Sequence, residues 1–164
     1  MSTRSNIIRQ NPDGTCRMIY CHSDGYPTGV GSLLAERYTD PETIDRLLDL
    51  GDISWLGETP EDPGDLWERK KAAMDLKPGE TPSEWLERVD REHAAFAHYT
   101  LSYATRGETG TQATEHPSLE QAMKTLCPMA AYVYAWTPDR GWLGAEAGAP
   151  LEPLDALIAR QDAD

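Results

Sequence analysis

Residues 3–22 read TRSNIIRQNPDGTCRMIYCH, and the class of the fold turns on this stretch. Two apolar runs, Ile7-Ile8 and Met18-Ile19-Tyr20, flank the turn cluster Asn11-Pro12-Asp13-Gly14, where Gly14 can take the positive φ a tight turn needs. A β-hairpin is therefore expected. Side chains alternate along a strand, so Cys16, Met18, Tyr20 and His22 share one face, and Arg17, Ile19 and Cys21 the other. A second hairpin is expected near the other end, from Met129 to Trp136, through a turn over Thr137 to Gly141, to Trp142 to Ala145, with Trp136 paired across it to Trp142. Strands that come in hairpins with helices between them predict an α+β fold. Its antiparallel sheet is built from the N- and C-terminal hairpins, with helices packed on it.

The middle of the chain reads as helices and loops. Ser32 is the expected cap of a short helix over Leu33 to Tyr38. Asp40 followed by Pro41 starts another, with Ile44, Leu47 and Leu48 on one face and Gly51 at its end. GETPEDPGDL (57–66) is a loop, and a helix over Leu66 to Leu76 is stopped by Pro78-Gly79. Thr81-Pro82-Ser83-Glu84 is a capping box ahead of a helix carrying Trp85, Val89, His93 and Phe96. Tyr99 to Ala104 alternate like a strand, GETGTQATEHP is a long loop, and a helix follows from Ser118 to Leu126. Residues 1–146 are expected to form one α+β domain with 58–98 as a helical insertion. Residues 147–164 are expected to be a peripheral tail.

Composition narrows the function classes. The chain has 164 residues, mean hydropathy −0.60 and 12 prolines, which imply one domain with much exposed loop. Its five Trp and seven Tyr against one Phe mean that most large rings carry a polar atom needing a partner. A net charge of −13 opposes binding to a nucleic-acid backbone. The acid is concentrated: residues 36–65 hold ten carboxylates against Arg37 and Arg46, a local net of −8. That stretch reads either as a solvated helical face with a soluble loop or as a field that steers a basic partner. Three cysteines without framework spacing point to a reducing cytoplasm. Residues 1–20 lack an apolar signal core and no run approaches a membrane-spanning length, so no membrane association is expected.

The densest chemistry lies in Tyr20 to Gly31, YCHSDGYPTGVG. Cys16, Cys21, His22 and Cys127 invite a zinc reading, but strand parity turns Cys21 away from Cys16 and His22. The same parity separates Cys21 from His22 as a nucleophile and base. His22 and Asp24 share a face if the strand continues, and the carboxylate would then orient the imidazole. The glycines leading into a helix have the outline of an anion cradle, with Arg4, Arg9, Arg17 and Arg106 as phosphate partners. The lysine of a phosphate-binding loop and the dinucleotide glycine pattern are both missing, so a tight strand-to-helix connection is the competing reading. The candidate ligand-binding set is Arg4, His22, Asp24, Tyr26, Gly29, Gly31 and Arg106. No catalytic residue, metal ligand or cofactor is assigned.

Thr3-Arg4-Ser5, Ile19-Tyr20-Cys21-His22, Asp24-Gly25-Tyr26-Pro27, Gly29-Val30-Gly31 and Leu50-Gly51-Asp52-Ile53-Ser54, with Tyr103, Arg106-Gly107-Glu108 and the Tyr132 to Trp142 hairpin, form a signature. In these residues, covering 1–57 and about 99–146, the chain resembles a family of small, largely uncharacterised proteins of bacteriophage and prophage genomes. Ser23 stands where that pattern more often has tryptophan, and 58–98 is a region peculiar to this chain or a subset. The resemblance implies a phage setting and the host cytoplasm. It supplies no catalytic residue. The expected function is a non-enzymatic accessory protein that binds and modulates a host protein, as an inhibitor of a bacterial defence system. Two alternatives stand beside it: a binder of a small anionic ligand such as a nucleotide, and an enzyme with Cys21 or His22 chemistry.

Overall fold

The computed structural model describes residues 2–163. The N-terminal hairpin forms as its alternation dictates, with β1 (Arg4–Gln10) antiparallel to β2 (Cys16–Cys21) in a register from Ser5↔Cys21 to Gln10↔Cys16. Asn11 N–H donates to the Thr15 carbonyl at 2.7 Å and the Asp13 carboxylate accepts from Thr15, so the turn closes on itself around Gly14 at φ 92°. Parity holds through β2. Ile19 and Cys21 join Ile7 in one buried cluster, whereas Cys16 and Met18 join Ile8 in another. The sheet is covered on both sides at this point.

The C-terminal hairpin is β6 (Ala130–Thr137) and β7 (Gly141–Glu146), with Trp136 opposite Trp142. The remaining strands are short: β3 (Ile53–Trp55), β4 (Leu101–Ser102), β5 (Thr114–His116) and β8 (Glu152–Pro153). They assemble as β4-β3-β2-β1-β6-β7-β8, with β5 added beside β2. The fold is α+β and its sheet is mostly antiparallel. Two parallel pairings modify the expectation: β1 lies parallel to β6, Ile7 opposite Tyr134, and β2 lies parallel to β3 through Cys21↔Ile53. The helical middle of the chain is long enough to provide the crossovers that parallel neighbours require.

Helix α1 (Ser32–Arg37) is not capped by Ser32. A π turn over Pro27–Gly31 already has helical backbone at Gly31, and the Ser32 hydroxyl instead reaches back to the Pro27 carbonyl at 3.4 Å. Helix α2 (Pro41–Asp49) starts as read: the Asp40 carboxylate accepts from the Thr43 amide at 2.9 Å, and Ile44, Leu47 and Leu48 are fully buried. In the insertion, α3 (Leu66–Ala73) and α4 (Pro82–Phe96) share a separate cluster of Leu66, Ala73, Phe96 and Leu101. Both halves of the Thr81–Glu84 capping box are made. Arg88 ties the two helices together, donating to the Ala73 and Asp75 carbonyls and pairing with Glu80 at 2.8 Å. Helix α5 (Leu119–Met123) is capped by Ser118, which accepts from Gln121 N–H at 3.1 Å.

Three expectations are corrected here. The strand over Tyr99 to Ala104 shrinks to two residues because the chain turns at Tyr103, with Arg106 N–H on the Tyr103 carbonyl. Part of the expected long loop is β5, whose Thr114, Glu115 and His116 offer no apolar alternation to reveal it. Of the tail expected over 147–164, of which residue 164 lies outside the described residues, 147–163 is not peripheral: β8 extends the sheet beside β7, and α6 (Leu154–Asp162) buries Leu154 and Leu157 in the main core with Ile7, Tyr134 and Leu34. The apolar spacing Leu154, Leu157, Ile158 is a helical stripe, and it packs as one.

Candidate functional site

The signature turn is held by its own backbone. The Gly25 amide donates to the Thr3 carbonyl at 2.8 Å, and the buried Tyr134 hydroxyl donates to the Gly25 carbonyl at 2.6 Å. A Cβ on Gly25 would stand 2.8 Å from the Ser5 Cβ, so only glycine lets β1 approach this closely. Asp24 takes a left-handed φ of 54° and its carbonyl accepts from Val30 N–H at 2.9 Å. The Gly29 and Gly31 amides both turn inward to the Tyr26 carbonyl, at 2.9 and 3.5 Å, and the Thr28 amide is taken by Gln161 Oε1 at 2.7 Å. Four successive donors are thus occupied. The segment acts as a turn locking β1, β2, β6 and α6 together, and its amides do not form an open anion cradle.

Cys21 is fully buried, with its thiol against the Ser23 carbonyl, and burial pushes it up to about 12. It offers no thiolate near neutral pH. Strand β2 ends at Cys21, the chain turns left-handed at Asp24, and the imidazole that sequence spacing would give to Asp24 goes elsewhere: His22 Nδ1 is 2.8 Å from the Tyr20 hydroxyl. Tyr20 stacks on Tyr103, centroids 6.5 Å apart and planes at 21°. Burial pushes the Tyr20 phenol up, and Arg4 at that hydroxyl works against the rise. The Arg106 guanidinium lies 5.1 Å from the Tyr103 ring centre and 4.7 Å from that of Trp67. Arg4, His22 and Arg106 are therefore brought together around Tyr20 and Tyr103.

The other candidate residues are placed apart from that group. Asp24 is exposed at the mouth of a cleft of about 510 Å³ between the signature turn and the insertion, with Ser23, Leu33, Trp55, Lys70 and Phe96 among its walls. Tyr26 is 36% exposed on the turn. Gly29 is inside the turn and Gly31 is packed on the Tyr134 ring.

The sequence reading missed the contribution of α3. Arg69, Lys70 and Lys71 are laid on the rings of Phe96, Trp55 and Trp67 at 5.6, 4.3 and 5.8 Å. Burial, aided by the neighbouring Arg106, pushes the Lys70 ammonium down. A run of three cations beginning two residues after Trp67 was the signal available. Trp55 is half-buried, and its indole N–H donates to the Tyr99 carbonyl at 2.8 Å, which fixes the ring that Lys70 covers.

Much of the acidic stretch has internal work. Asp45 and Asp49 pair with Arg9 and Arg17, Asp40 caps α2, Asp52 accepts from the Tyr20 amide, and Asp62 accepts from the Ser102 and Thr105 hydroxyls. Among the described residues, no three His, Cys, Asp or Glu side chains come together as metal ligands. No helix among them is long and apolar enough to cross a membrane. Comparison with protein-family models, curated proteins and solved structures finds no match to this chain.

Proposed function

We propose that this chain is a non-enzymatic accessory protein, of the phage or prophage setting its signature implies, that binds and modulates a component of the host's defence machinery. The observation that carries the reading is the convergence of Arg4, Tyr20, His22, Tyr103, Trp67 and Arg106 on one face. Tyrosine, tryptophan and arginine are the residues that concentrate binding energy at protein interfaces, because they combine large ring area with few rotors and directed donors. The sealed Cys21 thiol removes the most reactive nucleophile considered from the sequence. Three of the five large hydrophobic side chains most exposed among the described residues, Met74, Leu76 and Leu86, lie in the insertion, which adds apolar area to a partner surface there.

The test is affinity capture from host lysate with the native chain and with Tyr103→Ala. A partner retained in stoichiometric amount by the first and lost from the second is expected. If nothing is retained, and phage growth in defended hosts is unchanged when the gene is deleted, the reading is overturned. A second reading, binding of a small organic ligand, is supported by the cleft beside Asp24, whose size suits one. A ligand at a hundred times its dissociation constant would stabilise the fold by about 2.7 kcal/mol, and a broad thermal-shift screen with no response would dismiss it.

A further inference from the structure

Six cation–ring contacts occur among the described residues, and five of them involve Arg69, Lys70, Lys71 and Arg106. Such contacts arise roughly once per 70–80 residues, so about two would be expected in a chain of this length. Five on neighbouring side chains of one helix and one loop form a built feature. We propose that this cationic face, extended by Arg4 through the Tyr103–Tyr20 stack, docks a carboxylate-rich segment of the partner protein. The inference rests on the binding-protein reading above.

Each ring seat fixes a long, otherwise mobile stem, so part of the ordering cost of binding is met before a partner arrives. Arg106, held between Trp67 and Tyr103, has a planar guanidinium whose edge can donate two parallel hydrogen bonds to one carboxylate. Its own acidic neighbour, Glu108, is only loosely engaged at 3.7 Å, and Arg69 meets Asp65 at the same 3.7 Å. Lys71 is paired more closely with the exposed Glu68, at 2.9 Å. No carboxylate is within ion-pair distance of Lys70 among the described residues. The two loose pairs, Arg106–Glu108 and Arg69–Asp65, are ones that an incoming acidic segment can replace.

Nucleic acid is the less suitable polyanion. Cations already cover the Trp55, Trp67 and Phe96 rings, and Tyr103 is shared between Tyr20 and Arg106, so bases would lose those faces as stacking platforms. A strand extending past the patch would meet the field of a chain with net charge −13, whereas a short acidic loop need cover only the patch.

The test uses fluorescence anisotropy with the full chain and a fluorescein-labelled hepta-glutamate peptide, with an oligothymidine of similar length in parallel. The peptide is expected to bind, to weaken as salt is raised, and to lose about tenfold in affinity in Lys70→Gln/Arg106→Gln, whose melting point is checked separately. No peptide binding, an unchanged affinity in the folded double variant, or tighter binding of the oligothymidine would each overturn the proposal. The two levels fail separately. A lysate partner retained equally by native chain and double variant removes the acidic-segment inference and leaves the binding function standing, whereas no lysate partner together with unchanged phage growth removes the binding function, and peptide binding then shows only that the face accepts carboxylates.

Discussion

Gly29→Ala probes the signature turn at its tightest point. An alanine Cβ there would lie 2.4 Å from the Asp24 carbonyl oxygen, well under the 3.0 Å that real Cβ contacts respect, and the obstacle is backbone. Relief requires the Asp24 peptide to move by about 0.6 Å or more, and that same carbonyl accepts from Val30 N–H at 2.9 Å. Overpacking in a well-fitted site costs about 1–3 kcal/mol, and weakening the hydrogen bond adds about 1 kcal/mol. The variant should therefore lose about 2–4 kcal/mol. For a chain of this size each kcal/mol shifts the midpoint by about 2–4 °C, so thermal unfolding followed by circular dichroism should show a drop of about 4–16 °C. Lys70 of the proposed binding face lines the same cleft as Asp24, so peptide affinity is read separately, on the folded variant well below the new midpoint. A melting point within about 2 °C of the native value would refute the claim that this segment is a structural lock.

Two further outcomes follow from the same structure. Leu157→Ala removes a side chain that is 4% exposed in the main core, and should cost about 2–5 kcal/mol by urea unfolding; a loss under about 0.5 kcal/mol would return α6 to the periphery. Cys21 has a thiol raised in the folded state to about 12 from an ordinary 9.0, so the unfolded chain gives up this proton first. Stability is intact below about pH 9 and falls as pH rises toward 12, and Cys21→Ala should flatten that fall; an equal slope in both proteins would contradict it.

Legibility in the sequence followed how local each cause was. The hairpin turn at Asn11 to Gly14, the Asp40 cap and the Thr81–Glu84 box are each fixed by residues within a few positions of one another, and each appears as read. The fate of β1's second edge depends on β6, more than a hundred residues on, and nothing in either strand announces a parallel partner. β5 was hidden because its three residues are polar and meet β2 through backbone register and the Thr114 hydroxyl on the Met18 carbonyl. At the candidate site, Arg4, His22 and Arg106 were reachable by residue type. Tyr20, Tyr103 and Trp67, which bring them together, looked like ordinary half-buried rings until the sheet order put β2 near the turn after β4.

The β1–β6 pairing also bears on how the chain reaches this state. The N-terminal hairpin can close within microseconds of being made, since its contacts are local. Its apolar Ile7 and Ile8, with one ladder edge unsatisfied, must then wait for residues 130–137 to be synthesised and for a loop of more than a hundred residues to close. Long-range parallel closure is slow, and an open apolar strand edge is a template for other chains. Ribosome release and refolding at high concentration are thus the moments at which this protein is most exposed to aggregation, and the step that ends the exposure is the arrival of β6.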